Sequence, residues 1–397
     1  MKFLLVAGGT GGHMFPAQAM AEFIKCRGHR VTLMTDDRGV RFVEDNVYDD
    51  VLNVGDISSF LGVIRLLKES LKMAVSNRPD VVWGFGGKIS AVPIVAARIF
   101  GIKFGAHQSD FIIGRANRAI ARICGSLAVG YRESVEHYKE CKFRIVYTGT
   151  PVRKCFWSIP RVKRLSDDVI NVLVTGGSQG AKFWQNAMRE ALLLLSNSER
   201  RRIAVTHQCR CDQVAEVREI YEKMGLAGFF VTGFIRDMAS EFAKSHVIFS
   251  RAGASTISEI MASGRAAFFV PYPFAADNHQ YFNAKVIVDA GAAWMCCEKD
   301  TDGSDFGVRN EAMRLSGAGC DAVNNFHQRA LLERENQNDQ ISYCASQMAR
   351  VLTTCLYEFD EVIAMSDNAK SIACESSAEL LFSFMTEYES KTNVSEK

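Results

Sequence analysis

The chain has 397 residues, of which 48% are hydrophobic and 23% charged, a balance that excludes disorder, collagen and coiled coil as the main state. Its length predicts two domains, each able to bury a core without disulfide or metal. Lys and Arg total 47 against 45 Asp and Glu, a formal net charge of +2, so the chain lacks the electrostatic footprint of a nucleic-acid binder and no nucleic-acid partner is expected.

Residues 2–7 form a short apolar run that Gly8-Gly9-Thr10-Gly11-Gly12 cuts off. That is too little for a signal-peptide core, and no run of 18 apolar residues offers a membrane span. A helix is predicted over 16–27, closed by Gly28, followed by a strand over 31–35 and further strands over 81–83 and 104–106. Strands alternating with helical patterns predict a parallel, doubly wound sheet. The stretch 149–167, rich in Pro and Arg, is the expected linker. The rhythm then restarts: a strand over 171–175, the turn Gly176-Gly177-Ser178-Gln179-Gly180, and a helix over 181–196. Two such openings predict an α/β architecture of two Rossmann-like domains facing a cleft. A third unit follows, with a strand over 247–250, a turn over 251–255, a helix from Thr256 and a strand over 268–270 ended by Pro271 and Pro273. Periodicity is lost over 301–340, which is expected to be an insertion. Helical spacing returns over 341–388, before a solvated tail. The predicted domains are therefore 1–155, 168–345 and a C-terminal helical segment 346–397.

Chemistry concentrates at the glycine turns. Consecutive glycines before a helix let backbone N–H groups and the helix's positive end meet a phosphate. The loop Gly8–Gly12 fits this. It also fits a ligand-free turn, or a dinucleotide site with Asp36 on a ribose, although Met14 stands where a third glycine belongs. His13 can serve as general base or phosphate donor, or simply pack on the turn. Ser178 adds a hydroxyl to the second nest. Arg251-Ala252-Gly253-Ala254-Ser255-Thr256-Ile257-Ser258-Glu259 suits a diphosphate, with Glu259 in the first turn accepting ribose hydroxyls. Thr256 and Glu259 also satisfy a capping box, which needs no ligand. Asp277-Asn278-His279-Gln280 suits sugar hydroxyls or is a polar loop. Residues 60–68 mix apolar side chains with Arg65 and Lys68, as a membrane-interface helix does, or as a helix packed into the core does. The twelve cysteines contain no CxxC pair, and neither Cys209/Cys211 nor Cys296/Cys297 has zinc-ligand spacing. Reduced thiols are expected, with no metal and no cofactor.

GGTGGH at 8–13 with Pro16-Ala17, GGSQGA at 176–181, RAGASTISE at 251–259 and DNHQYFNA at 277–284 occur in that order. Together they resemble the MurG family of UDP-GlcNAc:undecaprenyl-diphospho-N-acetylmuramoyl-pentapeptide N-acetylglucosaminyltransferases. The resemblance implies the GT-B fold and transfer of GlcNAc from UDP-GlcNAc to lipid I, with inversion and release of UDP, on the cytoplasmic face of the inner membrane as a peripheral protein. It places Thr10, Gly11 and Gly12 in the loop meeting the acceptor diphosphate and His13 near the acceptor. It assigns donor contacts to Arg153, Ser178, the backbone of Ile235, Ala254, Ser255, Thr256, Glu259 and Gln280. The family's HEQN stretch is His107-Gln108-Ser109-Asp110 here. Asp110 thus replaces a donor-contacting Asn and becomes a rival base to His13, while Gln108 cannot be a base. Those departures keep a non-catalytic UDP-sugar-binding protein in view, beside another GT-B enzyme such as a UDP-GlcNAc epimerase.

Overall fold

The computed structural model describes residues 1–163, 168–176, 182–298 and 343–387. The insertion expected over 301–340 and Ser178 lie outside the described residues. The chain divides into two compact units, one made of Met1–Trp157 with the segment from Cys374 onward, the other of Ser158–Ala373.

The first unit is a seven-stranded parallel sheet in the order β3-β2-β1-β4-β5-β6-β7. Its strands are β1 Lys2–Val6, β2 Arg30–Thr35, β3 Asp50–Asn53, β4 Val81–Gly84, β5 Lys103–Gln108, β6 Ser126–Val129 and β7 Arg144–Tyr147. Phe3, Leu4, Leu5 and Val6 are all buried, as a strand covered on both faces requires. β1 pairs with β2 on one side and β4 on the other, so the strand order reverses there, and such a switch point opens a crevice at the strands' carboxyl ends. The helix after β1 spans Gly11–Cys26, starting inside the glycine loop and not at Pro16. Thr10 is its extended N-cap, and Pro16 lies within it, where its ring nitrogen cannot donate to the Gly12 carbonyl. The N–H groups of Gly11 and Gly12, at its first two positions, have no intrahelical partner, so glycines are tolerated there and the sequence looks like loop. The helix Ser377–Glu387 joins this unit. Leu381 and Met385 enter the core beside Phe3 and Trp83, Phe382 stacks on His29 at 5.7 Å, and Lys103 Nζ donates to the Thr386 carbonyl at 2.6 Å.

The second unit is a six-stranded parallel sheet, β10-β9-β8-β11-β12-β13, built from β8 Ile170–Thr175, β9 Ile203–Gln208, β10 Gly228–Thr232, β11 Val247–Ser250, β12 Ala266–Phe269 and β13 Trp294–Met295. Helices Lys182–Leu193, Tyr343–Tyr357 and Phe359–Ile372 contribute to its core with Trp184, Met348, Leu352 and Val362. Arg265, just before β12, is 2% exposed. Its guanidinium donates to the carbonyls of Phe242 at 2.8 Å, Pro160 at 3.0 Å, Ser263 at 3.1 Å, and Ala243 and Gly264 at 3.2 Å. Four of these lie at the ends of helices Met238–Lys244 and Ala254–Ser263, where carbonyls are short of intrahelical donors and the dipole favours a cation; the Phe242 carbonyl also accepts the Ser245 N–H at 3.1 Å. Burial draws the pKa of Arg265 down to about 10, so it stays charged at neutral pH.

Each unit also buries a neutral histidine. Burial lowers His107 to about 4 against the pull of its bond to the Gly149 carbonyl, and burial lowers His207 to about 4. An unfolded histidine titrates near pH 6.5. Between pH 6.5 and 4 the unfolded chain therefore binds more protons, and stability that is complete above pH 6.5 is lost as pH falls toward 4. At pH 5 each unit is expected to be about 2 kcal/mol less stable than at pH 7 from its histidine. Thermal melts that coincide at the two pH values would rule this out.

Candidate functional site

In the first unit the turns lie at the carboxyl ends of β1, β2, β4 and β5. Asp36 follows β2 and is buried. Its Oδ1 accepts the Gly9 N–H at 3.0 Å and the Gly39 N–H at 2.9 Å, while Oδ2 pairs with Arg38. The carboxylate is thus committed to shaping the glycine loop, which removes the alternative of a ribose ligand. Gly9 adopts φ +84°, a left-handed conformation that favours glycine. The side chain of Thr10 makes no capping bond and the first turn of Gly11–Cys26 carries no carboxylate. The positive end of this helix, at Gly11 and Gly12, is therefore left for an anion.

His13 Nδ1 lies 2.9 Å from the Gly8 carbonyl oxygen. A carbonyl only accepts, so Nδ1 carries a proton, and in the neutral ring Nε2 keeps its lone pair. The ring packs against Gly86, where an added Cβ would stand 2.7 Å from Cδ2 and 2.8 Å from Nε2. Gly86 also has φ +114°, so it is doubly required. This second glycine turn, Phe85-Gly86-Gly87 after β4, was missed in the sequence. The signal was present: a buried strand running straight into glycines, as β1 does.

Gln108 is buried, and its Oε1 accepts from Asn117 Nδ2 at 2.8 Å and the Gly114 N–H at 3.2 Å. An acceptor is what this position needs, and an amide supplies it without the cost of burying a charge. Asp110, half-buried just past β5, lies near the phenol of Tyr131, whose pKa is pushed well up by burial first and by Asp110 next. The Arg153 guanidinium lies 4.4 Å over Phe15 and 5.0 Å over Phe156, and reaches Glu44 at 3.4 Å, so it braces the helix that carries His13.

In the second unit, helix Ala254–Ser263 follows β11 with extended Gly253 as N-cap. It begins at Ala254 and not at Thr256. Thr256 is therefore an interior first-turn residue, and Glu259 lies in the second turn, buried. This removes the capping box and corrects the expected first-turn position of Glu259. The first turn carries no carboxylate and Gly253 offers no side-chain cap, leaving a second unneutralised helix end, beside Ala254, Ser255 and Thr256. Arg251 fixes the loop from below, donating to the Val270 and Pro271 carbonyls at 3.1 and 3.3 Å and pairing with Glu298. Buried Asn283 donates to the Ala252 carbonyl at 3.2 Å, which joins helix His279–Asp289 to this loop. On the same helix Gln280 Oε1 accepts the Tyr272 N–H at 2.9 Å, so its amide NH2 group remains the donor for a ligand. Ile235 is buried beyond β10. The Thr232 hydroxyl donates to the Phe234 carbonyl at 3.1 Å and accepts its N–H at 3.4 Å, shaping the loop before Ile235.

The structure thus groups Thr10, Gly11, Gly12 and His13 in one unit, and Ala254, Ser255, Thr256, Glu259 and Gln280 in the other. Asp110 and Ile235 occupy other strand ends of their own units. Among the described residues no group of three or more His, Cys, Asp or Glu is placed to hold a metal ion.

Residues 3–129 match the glycosyltransferase family 28 N-terminal domain, and residues 171–307 its C-terminal domain. Two relatives are both UDP-N-acetylglucosamine–N-acetylmuramyl-(pentapeptide) pyrophosphoryl-undecaprenol N-acetylglucosamine transferases. The one from Mesorhizobium japonicum is 37% identical over 302 residues, 72% of this chain and 80% of the relative. The one from Bartonella tribocorum is 33% identical over 363 residues, 88% of this chain and 93% of the relative. The crystal structure of MurG from Acinetobacter baumannii superposes with TM-score 0.68 at 22% identity, covering 98% of this chain and 100% of that one. The likeness of the two structures shows a shared GT-B fold.

Proposed function

This chain belongs to the MurG family of lipid I N-acetylglucosaminyltransferases, and on that premise we propose how its residues carry the reaction. It transfers GlcNAc from UDP-GlcNAc to the C4 hydroxyl of MurNAc in lipid I, forming lipid II with inversion and release of UDP. The C4 oxygen bonds to the anomeric carbon of GlcNAc from the face opposite UDP. The bond from that carbon to the β-phosphate oxygen breaks, and the hydroxyl proton leaves to a base. His13 Nε2 is that base. The observation that carries this assignment is the Gly8 carbonyl, which engages Nδ1 and leaves Nε2 as the acceptor of the neutral ring.

Thr10, Gly11 and Gly12 meet the acceptor diphosphate at one helix end. At the other, the N–H groups of Ala254, Ser255 and Thr256 take the negative charge of departing UDP, the electrostatic task a metal performs elsewhere. Glu259 takes the ribose hydroxyls, the Ile235 backbone the uracil and Gln280 the GlcNAc hydroxyls. Ser178, Arg153 and Asp110 complete the donor contacts. The test is UDP release from UDP-GlcNAc with and without a short-chain lipid I analogue. Acceptor-dependent release with a disaccharide product supports the reading. Acceptor-independent release of free sugar, or binding without turnover, overturns it.

Work on a polyprenyl substrate calls for a membrane surface. None of the described helices is long and apolar enough to cross a membrane. Helix Phe60–Ser76 has two apolar faces. Leu66, Met73 and Ala74 are buried, whereas Phe60 and Leu61 are 78% and 76% exposed and Val63, Ile64 and Leu67 about half. Arg65, Lys68 and Lys72 lie on the same helix. This face docks peripherally on the cytoplasmic leaflet, apolar residues inserted and cations on anionic headgroups. Phe60→Ser with Leu61→Ser is expected to weaken binding to anionic vesicles more than tenfold, since two side chains each forfeit about 1.5–3 kcal/mol of burial. Unchanged co-sedimentation would reject the docking face.

A further inference from the structure

Asp36 and Arg38 have no role in the reaction just described, yet together they build one wall of the first glycine loop. Arg38 Nη2 and Nε reach the same Asp36 oxygen, at 3.1 and 3.3 Å. The other oxygen of Asp36 holds the backbone of Gly9 and Gly39. One buried carboxylate therefore fixes both the loop and the guanidinium relative to each other. The guanidinium lies against Gly9, where a Cβ would stand 3.1 Å from Nη2 and 3.5 Å from Cζ. The Arg38 side chain nevertheless remains 62% exposed. Pairing on one edge consumes Nε and one hydrogen of Nη2. The opposite edge keeps the remaining N–H groups, which have no hydrogen-bond partner among the described residues, although the carboxylate of Asp56 is within electrostatic reach of the guanidinium.

We propose that Arg38 is a further acceptor-binding residue, which takes the lipid-linked diphosphate on its free edge, and that Asp36 positions it. The inference rests on the reading that Gly8–Gly12 receives that diphosphate. An ordinary surface ion pair would leave the guanidinium loosely held and worth little. Here its partner is buried and tied twice to the loop, so the fork is pre-set beside the helix end, the arrangement in which arginine takes phosphate oxygens two at a time.

The experiment measures steady-state kinetics with varied acceptor and varied donor, together with titration of inorganic pyrophosphate under saturating UDP. Arg38→Ala is expected to raise the KM for the lipid I analogue at least tenfold and to leave the KM for UDP-GlcNAc within twofold. Arg38→Lys, which keeps charge but loses the fork, is expected to fall between. Arg41→Ala removes a cation three residues away and is expected to change neither. Asp36→Asn is expected to raise the acceptor KM as well, with Arg38→Ala adding little on top, a non-additivity that general loss of stability would not produce. If Asp36→Asn does not fold, the exposed Arg38 series still decides. An unchanged acceptor KM, or acceptor and donor KM rising together in Arg38→Ala, overturns the proposal. If the wild type shows no acceptor-dependent transfer, the reaction assignment fails instead. The pyrophosphate titration then judges Arg38 by itself, with equal affinity of wild type and Arg38→Ala counting against it.

Discussion

Replacing His13 by alanine is expected to lower kcat by about 10²–10⁴-fold, the usual contribution of a positioned base, with the KM for UDP-GlcNAc almost unchanged. The expectation follows from three contacts. The Gly8 carbonyl fixes the tautomer from one side of the ring. Gly86, with no side chain, lets the other side approach closely. Arg153, stacked on Phe15 two residues further along the helix, holds the element that carries the ring. His13→Gln separates basicity from mere orientation, because an amide can hydrogen-bond but cannot take a proton at neutral pH. Turnover as poor as that of the alanine variant supports a base, whereas recovery to near wild type assigns orientation only. Asp110→Asn is the companion measurement. A kcat within about threefold of wild type leaves His13 as base, and a loss matching that of His13→Ala transfers the role to Asp110.

The second large effect concerns stability. Arg265→Met keeps much of the side chain's volume but deletes every donor, leaving five carbonyls around it without the guanidinium. A buried acceptor left unsatisfied costs about 1–3 kcal/mol. Some will find water or relax, so a total loss of about 3–5 kcal/mol is expected. In a unit of this size that lowers the melting temperature by roughly 6–20 °C. Because Pro160 is one of the five, the segment entering the second unit should loosen at the same time and become sensitive to protease near that residue. A variant melting within 2 °C of wild type would show that the charge is dispensable. Substitution of a buried ionic group by an apolar one can be neutral, but in those cases the partner charges were removed too. Carbonyls cannot be.

Much of this architecture was legible in the chain. Buried strands running into glycines announced two Rossmann-like units, and Gly28, at φ +77°, ends its helix as its position suggested. Both helix starts were placed too late, at Pro16 and Thr256, for one reason: the N–H groups at a helix's first positions have no intrahelical partner, so those residues obey loop preferences. The partners of the glycine loop were less accessible. Asp36 is separated from Gly9 by 27 positions and Asn283 from Ala252 by 31, and nothing local in either neighbourhood marks the bond. Arg265 was invisible for a different reason. Its acceptors are backbone carbonyls, which every residue possesses. The helical spacing over 341–388 announced helix near the chain's end, but not which sheet Ser377–Glu387 would cover.

That last helix also bears on biosynthesis. On a ribosome, residues 1–157 emerge long before Ser377–Glu387, and at ordinary elongation rates the roughly 220 intervening residues take about 10–40 s to make. Throughout that interval the nascent first sheet has Phe3 and Trp83 without the cover that Leu381 and Met385 supply in the finished protein. Vectorial folding of this chain is therefore interrupted by design. Its first unit waits with that face covered by Gly11–Cys26 alone, and gains its last helix only after the second unit has been synthesised in full.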